Sequence, residues 1–448
     1  MRKSYKPSSQ IQLPGVHKER IVTETMDMDR HARQESVVRS YCRSFPAVFE
    51  RAKGSYLYDR AGQRYIDFFC GAGAINYGHN NERMREALLA YIEEDGIIHS
   101  LDMATTAKHE FMDRFESSIL APRGLDFKMQ FTGPGGTNAV ETALKIARLT
   151  TRRSHVAAFT NGYHGLTLGA LALTGNAHYR NEAFVNRSNV SFLPFDGYLG
   201  PNVDTIAYIR KLLEDRGSGF DLPAAIVAET IQAEGGVNVA GTEWLRGLEA
   251  LCREFGVLLV IDDIQVGCGR TGTFFSFERA GIHPDVVVLS KSISGYGLPM
   301  SVVLMRPELD QWQPGEETAT FRGHNLSFVT AVEAIGYWET EGLARRIQER
   351  STTIADHLEE LEKSHPELEP KSRGTGLIYG LEIADPEAAQ AVSKAAFAKG
   401  LVIELCGPRN NVLKLLPPLV IEESDLLEGL DIFEQSVRSV CARADQVS

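Results

Sequence analysis

The sequence predicts an α/β fold in which helices cover both faces of a mostly parallel sheet. From about Leu125 onward, short apolar runs alternate with Gly-containing turns and amphipathic stretches, a pattern typical of buried parallel strands separated by helices. The chain has 448 residues, which predicts two or three domains because one small core cannot bury so long a chain. The apolar runs are KMQF (128–131), HVAAF (155–159), NVSFL (189–193), AAIVAET (224–230), VLLVIDD (257–263), DVVVLS (285–290) and SVVLM (301–305).

The two ends of the chain predict a second, smaller α/β domain. Residues 55–67 have the pattern of a β-hairpin, with a turn at Asp59–Gly62 between two tyrosine-bearing strands. After about Phe328, long helical patterns are followed by short strand patterns that are too few and too mixed to extend the main sheet. These strand patterns are GLIYGLEI (376–383), LVIEL (401–405) and NVLKLLPPL (411–419). The predicted boundaries are a polar N-terminal arm at 1–33, a small domain built from 34–95 and 327–448, and a large domain at 96–326.

Composition narrows the classes of function. The formal net charge is -12, which does not favour nucleic acid or an anionic membrane as a partner. The six cysteines are scattered without a C-x-x-C pair, and the histidines have no H-E-x-x-H spacing, so no disulfide framework and no protein-ligated metal are expected. No apolar run approaches the roughly 20 residues that cross a bilayer. We therefore expect a cytoplasmic protein that does not bind membranes.

Lys291 is the first candidate for chemistry. It follows the apolar run DVVVLS and precedes a Gly-rich segment, SISGYGLP. Ligands of open parallel sheets bind at the carboxyl ends of the strands. Burial at such a strand end lowers the pKa of an amine and makes it a usable nucleophile. The alternative is a surface lysine that extends away from the strand into solvent.

Asp262 and Asp263 end the run VLLVI, and in a strand they would point to opposite faces. A carboxylate at this place suits a protonated ring nitrogen, which it would keep protonated. The alternative is an acid that caps a nearby helix.

Two further segments could complete a binding site. FTGPGGTNAVETALKIAR (131–148) has the pattern of strand, Gly-rich turn and helix, which can bind a phosphate at the helix N-terminus. Such turns also serve only as tight connections. Tyr163 follows the run HVAAF and could stack on a planar cofactor, or could be an ordinary packed loop residue.

The motifs GPGGTNAVETALK, GYHGLTLGA, ETIQAEGG, VIDDIQVGCGRTG, LSKSISGYGLP and TFRGHN occur in the order found in class III aminotransferases. The chain therefore resembles this family of fold-type-I, pyridoxal-phosphate-dependent enzymes over roughly Ser36 to Ile432. More narrowly, RSYCRSFPAVFERAKGSYLYD, FFCGAGAINYGHNN and DDIQVGCGRTGTFFSFERAGI are similar to diaminobutyrate–2-oxoglutarate aminotransferases, including those of ectoine biosynthesis. The resemblance implies pyridoxal 5′-phosphate as the cofactor.

The resemblance also implies residue roles around the cofactor ring. Lys291 would bind the cofactor covalently, and Asp262 would pair with its pyridine nitrogen. Gln265 would lie near the phenolic oxygen, Ile264 would pack under the ring and Tyr163 would stack above it. His164 follows Tyr163 in the same motif and is expected beside the cofactor.

The resemblance assigns the phosphate and the substrate side in the same way. The backbone amides of Gly136 and Thr137 would bind the phosphate, helped by Thr320 from the second subunit of a homodimer. Glu229 and Glu234, in ETIQAEGG, would line the substrate side, with Glu229 also near the cofactor. In several relatives the second of these glutamates masks an arginine that binds substrate.

The chain departs from the family pattern at two positions. Gly135 stands where the turn usually has threonine, and Lys414 stands where many relatives have an arginine before the Pro-Pro pair. Lysine cannot reproduce the two-pronged contact of arginine with a carboxylate. We expect Lys414 to bind a substrate carboxylate as a point charge. The alternative is that Lys414 is a solvated strand residue and another cation, near Arg43, binds the substrate.

The predicted reaction is the transfer of the amino group of L-glutamate to L-aspartate 4-semialdehyde, which gives 2-oxoglutarate and L-2,4-diaminobutyrate. Its product would enter ectoine or secondary-metabolite biosynthesis. One alternative is another ω-aminotransferase, acting on ornithine, 4-aminobutyrate or a related compound. A second is a racemase or aminomutase on the same scaffold. A protein without catalytic activity is least expected, because Lys291 and Asp262 are both intact.

Overall fold

The computed structural model describes residues 30–184, 188–340 and 342–444. Residues 1–29, most of the predicted N-terminal arm, lie outside the described part of the chain. Residues 30–34 form a helical turn, and a second turn follows at Tyr41–Ser44.

All seven predicted apolar runs form strands of one sheet, which confirms the predicted α/β fold. The strand Val302–Met305 is antiparallel to both of its neighbours, and the other pairs of adjacent strands are parallel. The strands in their order across the sheet are Lys128–Phe131, Val302–Met305, Val286–Leu289, Leu258–Asp262, Ala225–Ala228, Val156–Phe159 and Val190–Leu193.

Helices cover both faces of this sheet, which is why its central strands are apolar at every position. Alternate residues of one strand enter two different cores: Leu259 and Ile261 pack on one face, and Leu258 and Val260 pack on the other. The helices with side chains in the first core are Thr106–Phe115, Thr205–Glu214, Thr242–Phe255 and Asn325–Ile335. Those in the second core are Gly136–Thr151 and Leu168–Leu173.

Two smaller four-stranded sheets are present, and both ends of the described chain contribute to the first of them. The predicted hairpin is present, with strands Tyr56–Asp59 and Arg64–Asp67. Leu401–Val402, from the other end of the chain, pairs in parallel with Arg64–Asp67. The first sheet has the order Phe49–Lys53, Tyr56–Asp59, Arg64–Asp67, Leu401–Val402. The second sheet has the order Lys371–Thr375, Ile378–Glu382, Val412–Leu415, Glu404–Cys406.

A separate hydrophobic core joins these smaller sheets to three long helices. Ile66 and Phe68 from the N-terminal part pack in it with Ile354, Leu413 and Phe433. The three helices are Gly342–Ser364, Pro386–Ala398 and Glu423–Ala444, and Glu82–Glu93 contributes Met84 to the same core. The exact domain boundaries stay a prediction. None of the described helices is long and apolar enough to cross a membrane.

Candidate active site

Two of the predicted residues lie at the same edge of the main sheet. Asp262 is the last residue of its strand, and it is level with Val288 in the adjacent parallel strand. Lys291 follows that second strand and begins a short 3-10 helix, Lys291–Ser294. Asp262 and Lys291 therefore lie at the carboxyl ends of neighbouring strands, at the edge where parallel sheets bind ligands.

His164 holds the carboxylate of Asp262. The Nδ1 atom of His164 lies 2.7 Å from Oδ2 of Asp262, and both side chains are buried. Burial opposes a charge on the imidazole, but the hydrogen bond and the charge of Asp262 outweigh it, so the pKa of His164 is raised. The other oxygen of Asp262 accepts a hydrogen bond from the amide of Ile264 at 3.2 Å. Asp262 is thus fixed in orientation by two donors.

The neighbouring carboxylate, Asp263, has a different environment. Its Oδ2 accepts a hydrogen bond from the backbone amide of Ser276 at 3.0 Å. Burial raises the pKa of Asp263 to about 7, an effect opposed by its hydrogen bonds from Ser276 and strengthened by the charge of Asp262. The two adjacent acids therefore have separate partners, as the alternation of side chains in a strand requires.

Lys291 lies inside the site and does not extend into solvent. Its side chain is partly buried, and its backbone has a φ of 50°, in the left-handed region. Burial lowers the pKa of Lys291, although the carboxylates of Glu234 and Asp262 act in the opposite direction. The next residue, Ser292, donates a hydrogen bond to the carbonyl of Gly73 at 2.6 Å and so fixes the start of the short helix. An amine in this environment has a larger uncharged fraction than a surface lysine.

The predicted phosphate turn lies against the loop that follows Asp262. The helix Gly136–Thr151 begins directly after Gly135, whose backbone is extended. A Cβ atom at Gly136 would be 2.9 Å from Cδ1 of Ile264, and one at Gly165 would be 2.6 Å from Oγ1 of Thr137. Glycine at both positions therefore lets the start of this helix pack closely against its neighbours, and backbone amides at a helix N-terminus can bind an anion.

Lys414 is fully buried, and the interpretation of Lys414 as a solvated strand residue is wrong. Its Nζ atom lies 2.7 Å from Oε1 of Glu234, 2.9 Å from Oε1 of Glu404 and 3.2 Å from Oε1 of Gln265. Burial opposes its charge, but the two carboxylates outweigh this effect and raise the pKa of Lys414 well above its ordinary value. Arg43, the alternative cation, is exposed and donates a hydrogen bond to the carbonyl of Val37 at 2.8 Å.

Gln265 links Lys414 to the rest of the site. Its amide nitrogen donates to Oε1 of Glu234 at 3.0 Å and to the carbonyl of Ala72 at 2.9 Å. Although burial alone would raise the pKa of Glu234, the charges of Lys414 and Lys291 and the hydrogen bonds from Lys414 and Gln265 lower it to about 2. Glu234 is therefore a stable carboxylate next to the lysine.

Glu229 and Tyr163 are joined through the backbone. The amide of Tyr163 donates to Oε1 of Glu229 at 2.9 Å, and the ring of Tyr163 meets that of Tyr179 edge-on at 5.5 Å. Burial raises the pKa of Glu229 to about 8, an effect that the charge of His164 opposes and that of Asp262 strengthens. The motif Tyr163–His164 thus connects Glu229 to Asp262.

Tyr163 and Glu234 line a cavity of about 670 Å³. Its wall includes the aromatic side chains of Tyr41, Tyr163, Tyr179 and Phe184 and the carboxylates of Glu234 and Glu404. Sequence reasoning missed Glu404. The available signal was a single acidic residue in the otherwise apolar run LVIEL (401–405).

Thr320 is exposed, and its backbone carbonyl accepts a hydrogen bond from Nε2 of His99 at 2.9 Å. The role predicted for its side chain requires a second subunit and stays a prediction.

The residues present fit pyridoxal 5′-phosphate. A phosphate suits the backbone amides at the start of Gly136–Thr151, where the helix dipole favours an anion. A protonated pyridine nitrogen suits the buried carboxylate of Asp262, and a carbonyl suits the amine of Lys291, whose pKa is lowered.

The family model described as aminotransferase class-III matches residues 38–437. Curated relatives agree with it. A diaminobutyrate–2-oxoglutarate transaminase of Wolinella succinogenes is 59% identical over 406 residues, which cover 91% of this chain and 95% of the relative. A diaminobutyrate–2-oxoglutarate transaminase of Halalkalibacterium halodurans is 52% identical over 414 residues, or 92% of this chain and 97% of the relative.

Solved structures give the same fold. The ornithine aminotransferase of Toxoplasma gondii aligns with a TM-score of 0.81 at 26% identity and covers 96% of this chain and 100% of its own length. An S-selective transaminase from Arthrobacter sp. has a TM-score of 0.81 at 23% identity, over 93% of this chain and 98% of its own.

Proposed function

This chain belongs to the class-III aminotransferase family, and we propose that it transfers the amino group of L-glutamate to L-aspartate 4-semialdehyde. The products are 2-oxoglutarate and L-2,4-diaminobutyrate. The single observation that supports this substrate pair is the identity of 59% and 52%, over more than nine tenths of the chain, with relatives named for diaminobutyrate and 2-oxoglutarate. The enzyme depends on pyridoxal 5′-phosphate, as the aminotransferases of this family do.

When bound, pyridoxal 5′-phosphate supplies a carbonyl that exchanges amino groups and a ring that withdraws electrons from the substrate carbon. The amides of Gly136 and Thr137 bind its phosphate at the helix N-terminus. Thr320 of a second subunit adds a contact to the same phosphate, so the active unit is a homodimer. The exposed position of Thr320 supports this part of the proposal, because the residue is free to meet a neighbouring chain.

Asp262 keeps the ring nitrogen protonated, and His164 keeps Asp262 in place. The 2.7 Å hydrogen bond from His164 orients the carboxylate. Ile264, which lies against Gly136, packs under the ring, and Tyr163 stacks above it. These contacts hold the ring in one orientation relative to Lys291.

Lys291 binds the cofactor and then moves the proton. Because burial lowers the pKa of Lys291, its Nζ atom could accept the proton from the amino-bearing carbon of the substrate and pass it to the carbon of the cofactor that receives the amino group. Its backbone is fixed by the hydrogen bond of Ser292 to Gly73, so the amine returns to the same place in each cycle.

Lys414 binds the carboxylate of glutamate next to the reacting carbon. In the structure its ammonium group is already occupied by Glu234, Glu404 and Gln265. A substrate carboxylate must therefore replace Glu234, whose side chain is the more exposed of the two carboxylates at 21% against 4%. Glu234 thus masks the lysine when glutamate is absent.

The test is a comparison of amino acceptors with glutamate as the common donor. Release of 2-oxoglutarate is measured with aspartate 4-semialdehyde, succinate semialdehyde and glutamate 5-semialdehyde at equal concentration. The proposal predicts the highest kcat/KM for aspartate 4-semialdehyde. A preference for either of the other aldehydes would identify a different ω-aminotransferase, and conversion of L-glutamate to D-glutamate without 2-oxoglutarate would identify a racemase.

A further inference from the structure

The cavity wall presents the carboxylates of Glu234 and Glu404 to a substrate, whereas the ammonium group of Lys414 is buried. Glu234 and Glu404 line the cavity, whereas Lys414 is 0% exposed and does not. Of the described residues, lysine and arginine side chains are absent from the wall. A ligand that enters the cavity therefore meets an acidic surface at this end.

One lysine cannot neutralise both carboxylates. Lys414 donates hydrogen bonds to Glu234 at 2.7 Å and to Gln265 at 3.2 Å. Oε1 of Glu404 lies 2.9 Å from the same ammonium group but is buried without a hydrogen-bond partner among the described residues. If both acids are ionised, Lys414, Glu234 and Glu404 together have one negative charge in excess, and the remaining cation that acts on both acids is Lys291, the residue proposed to bind the cofactor. Burial raises the pKa of Glu404 to about 7; the charges of Lys414 and Lys291 oppose this effect, and that of Glu234 strengthens it. A second cation at this position would remove the imbalance.

The aromatic residues beside Glu404 favour a cation at the same place. Tyr41 and Tyr179 line the same cavity as Glu404. Aromatic faces attract ammonium groups, and a carboxylate next to them adds a charge-assisted hydrogen bond.

Glu404 is also held in a fixed orientation. It lies on the strand Glu404–Cys406, directly opposite Lys414 in the antiparallel register. Its side chain is 4% exposed, and its contact with Lys414 restrains the carboxylate. A group positioned in this way can distinguish ligands that differ by one charge.

We propose that Glu404 determines substrate specificity by accepting the α-ammonium group of the four-carbon substrate. This inference rests on the proposed function. L-2,4-Diaminobutyrate reacts at C4 and has an ammonium group at C2, whereas 4-aminobutyrate has the same chain and the same reacting amine without that group. Glutamate has no second ammonium group, so its half-reaction does not need Glu404.

The test compares Glu404→Gln with the parent holoenzyme. With 2-oxoglutarate as the acceptor, kcat/KM is measured for L-2,4-diaminobutyrate and for 4-aminobutyrate, and the glutamate half-reaction is followed from the absorbance of the cofactor. The expected result is a fall of about 10- to 100-fold in the ratio of diaminobutyrate to 4-aminobutyrate, the usual effect of losing one charge-assisted contact. The glutamate half-reaction should change by less than about threefold, since it lacks that contact.

Two variants complete the experiment. Glu382 is a carboxylate of the same sheet that lies outside the cavity wall and pairs with Arg373 at 2.7 Å. Glu382→Gln is the matched control, and it should leave the ratio of diaminobutyrate to 4-aminobutyrate unchanged. Glu404→Asp keeps the carboxylate and should retain part of the preference even if Glu404→Gln folds poorly.

Three results would overturn the inference or its basis. An unchanged ratio in Glu404→Gln contradicts the inference. Equal losses for both amines and for glutamate also contradict it, because they would mean that Glu404 acts only by supporting Lys414. A parent enzyme that does not prefer diaminobutyrate to 4-aminobutyrate contradicts the proposed function itself.

Discussion

Replacing Asp262 by asparagine should leave a folded protein that has lost most of its transaminase activity. The substitution keeps the size of the side chain but removes its charge. Two interactions depend on that charge: the 2.7 Å contact with His164 and the proposed pairing with the cofactor nitrogen. The adjacent residue gives the control, because Asp263→Asn makes the same chemical change one position further along.

The size of the effect follows from these two contacts. A hydrogen bond to a charged group is worth about 1.5–3 kcal/mol, so losing both weakens the site by roughly 3–6 kcal/mol. At about 1.4 kcal/mol for each factor of ten, this corresponds to a loss of at least about 100-fold in kcat. Asp263 has its pKa raised to about 7, so its neutral form is readily accessible and asparagine is a close substitute for it. Asp263→Asn should therefore retain activity within about threefold of the parent.

The assay is the single-turnover half-reaction with L-glutamate, followed from the absorbance of the cofactor. It is accompanied by cofactor titration and thermal unfolding of both variants. A large loss in Asp262→Asn with near-parent stability supports the division of roles. Equal losses in the two variants, or full activity in Asp262→Asn, would refute it.

The remaining predictions concern four other residues. Borohydride reduction should attach the cofactor irreversibly to Lys291, and a label on a different lysine in peptide mapping would contradict this. Lys414→Ala should raise KM for glutamate about 10- to 100-fold without weakening cofactor binding. Lys414→Arg should keep part of the activity. Unchanged kinetics in Lys414→Ala would disprove the role of Lys414 in binding the substrate carboxylate. Mixing inactive Lys291→Ala with inactive Thr320→Ala under subunit exchange should restore some activity, whereas a fully active monomer in sedimentation would exclude shared sites. The pKa of Glu234 is lowered to about 2 from 4.5, so its contribution to stability is present above pH 4.5 and is lost as the pH falls towards 2. In Glu234→Gln, Tm should therefore fall less steeply between pH 4.5 and pH 2 than in the parent. An identical slope in the two proteins would contradict this.

The strands and the residues at their ends could be predicted from the sequence, because burial on both faces leaves a continuous apolar run. The two adjacent acids at 262 and 263 marked the end of one such run, and the lysine at 291 marked the next. Alternation along a strand also predicts that adjacent acids diverge, and Asp262 and Asp263 do have different partners.

Contacts between distant segments could not be predicted in the same way. His164 and Asp262 are 98 positions apart. His164 follows the strand Val156–Phe159 and Asp262 ends the strand Leu258–Asp262, and Ala225–Ala228 lies between these two strands in the sheet. The position of Glu404 opposite Lys414 depends on the register of two short strands, which a single apolar run does not determine. Arg270 was also missed: it is fully buried and donates to the carbonyl of Leu377 at 2.9 Å.

The most direct test of the proposed function is the fate of the amino nitrogen. The purified protein is incubated with amino-¹⁵N-labelled L-glutamate and unlabelled L-aspartate 4-semialdehyde, and the amino products are analysed by mass spectrometry. The proposed function predicts L-2,4-diaminobutyrate with the label at the 4-amino group, in an amount equal to the 2-oxoglutarate released, and no product from Lys291→Ala. Diaminobutyrate without the label, or release of 2-oxoglutarate without diaminobutyrate, would contradict it.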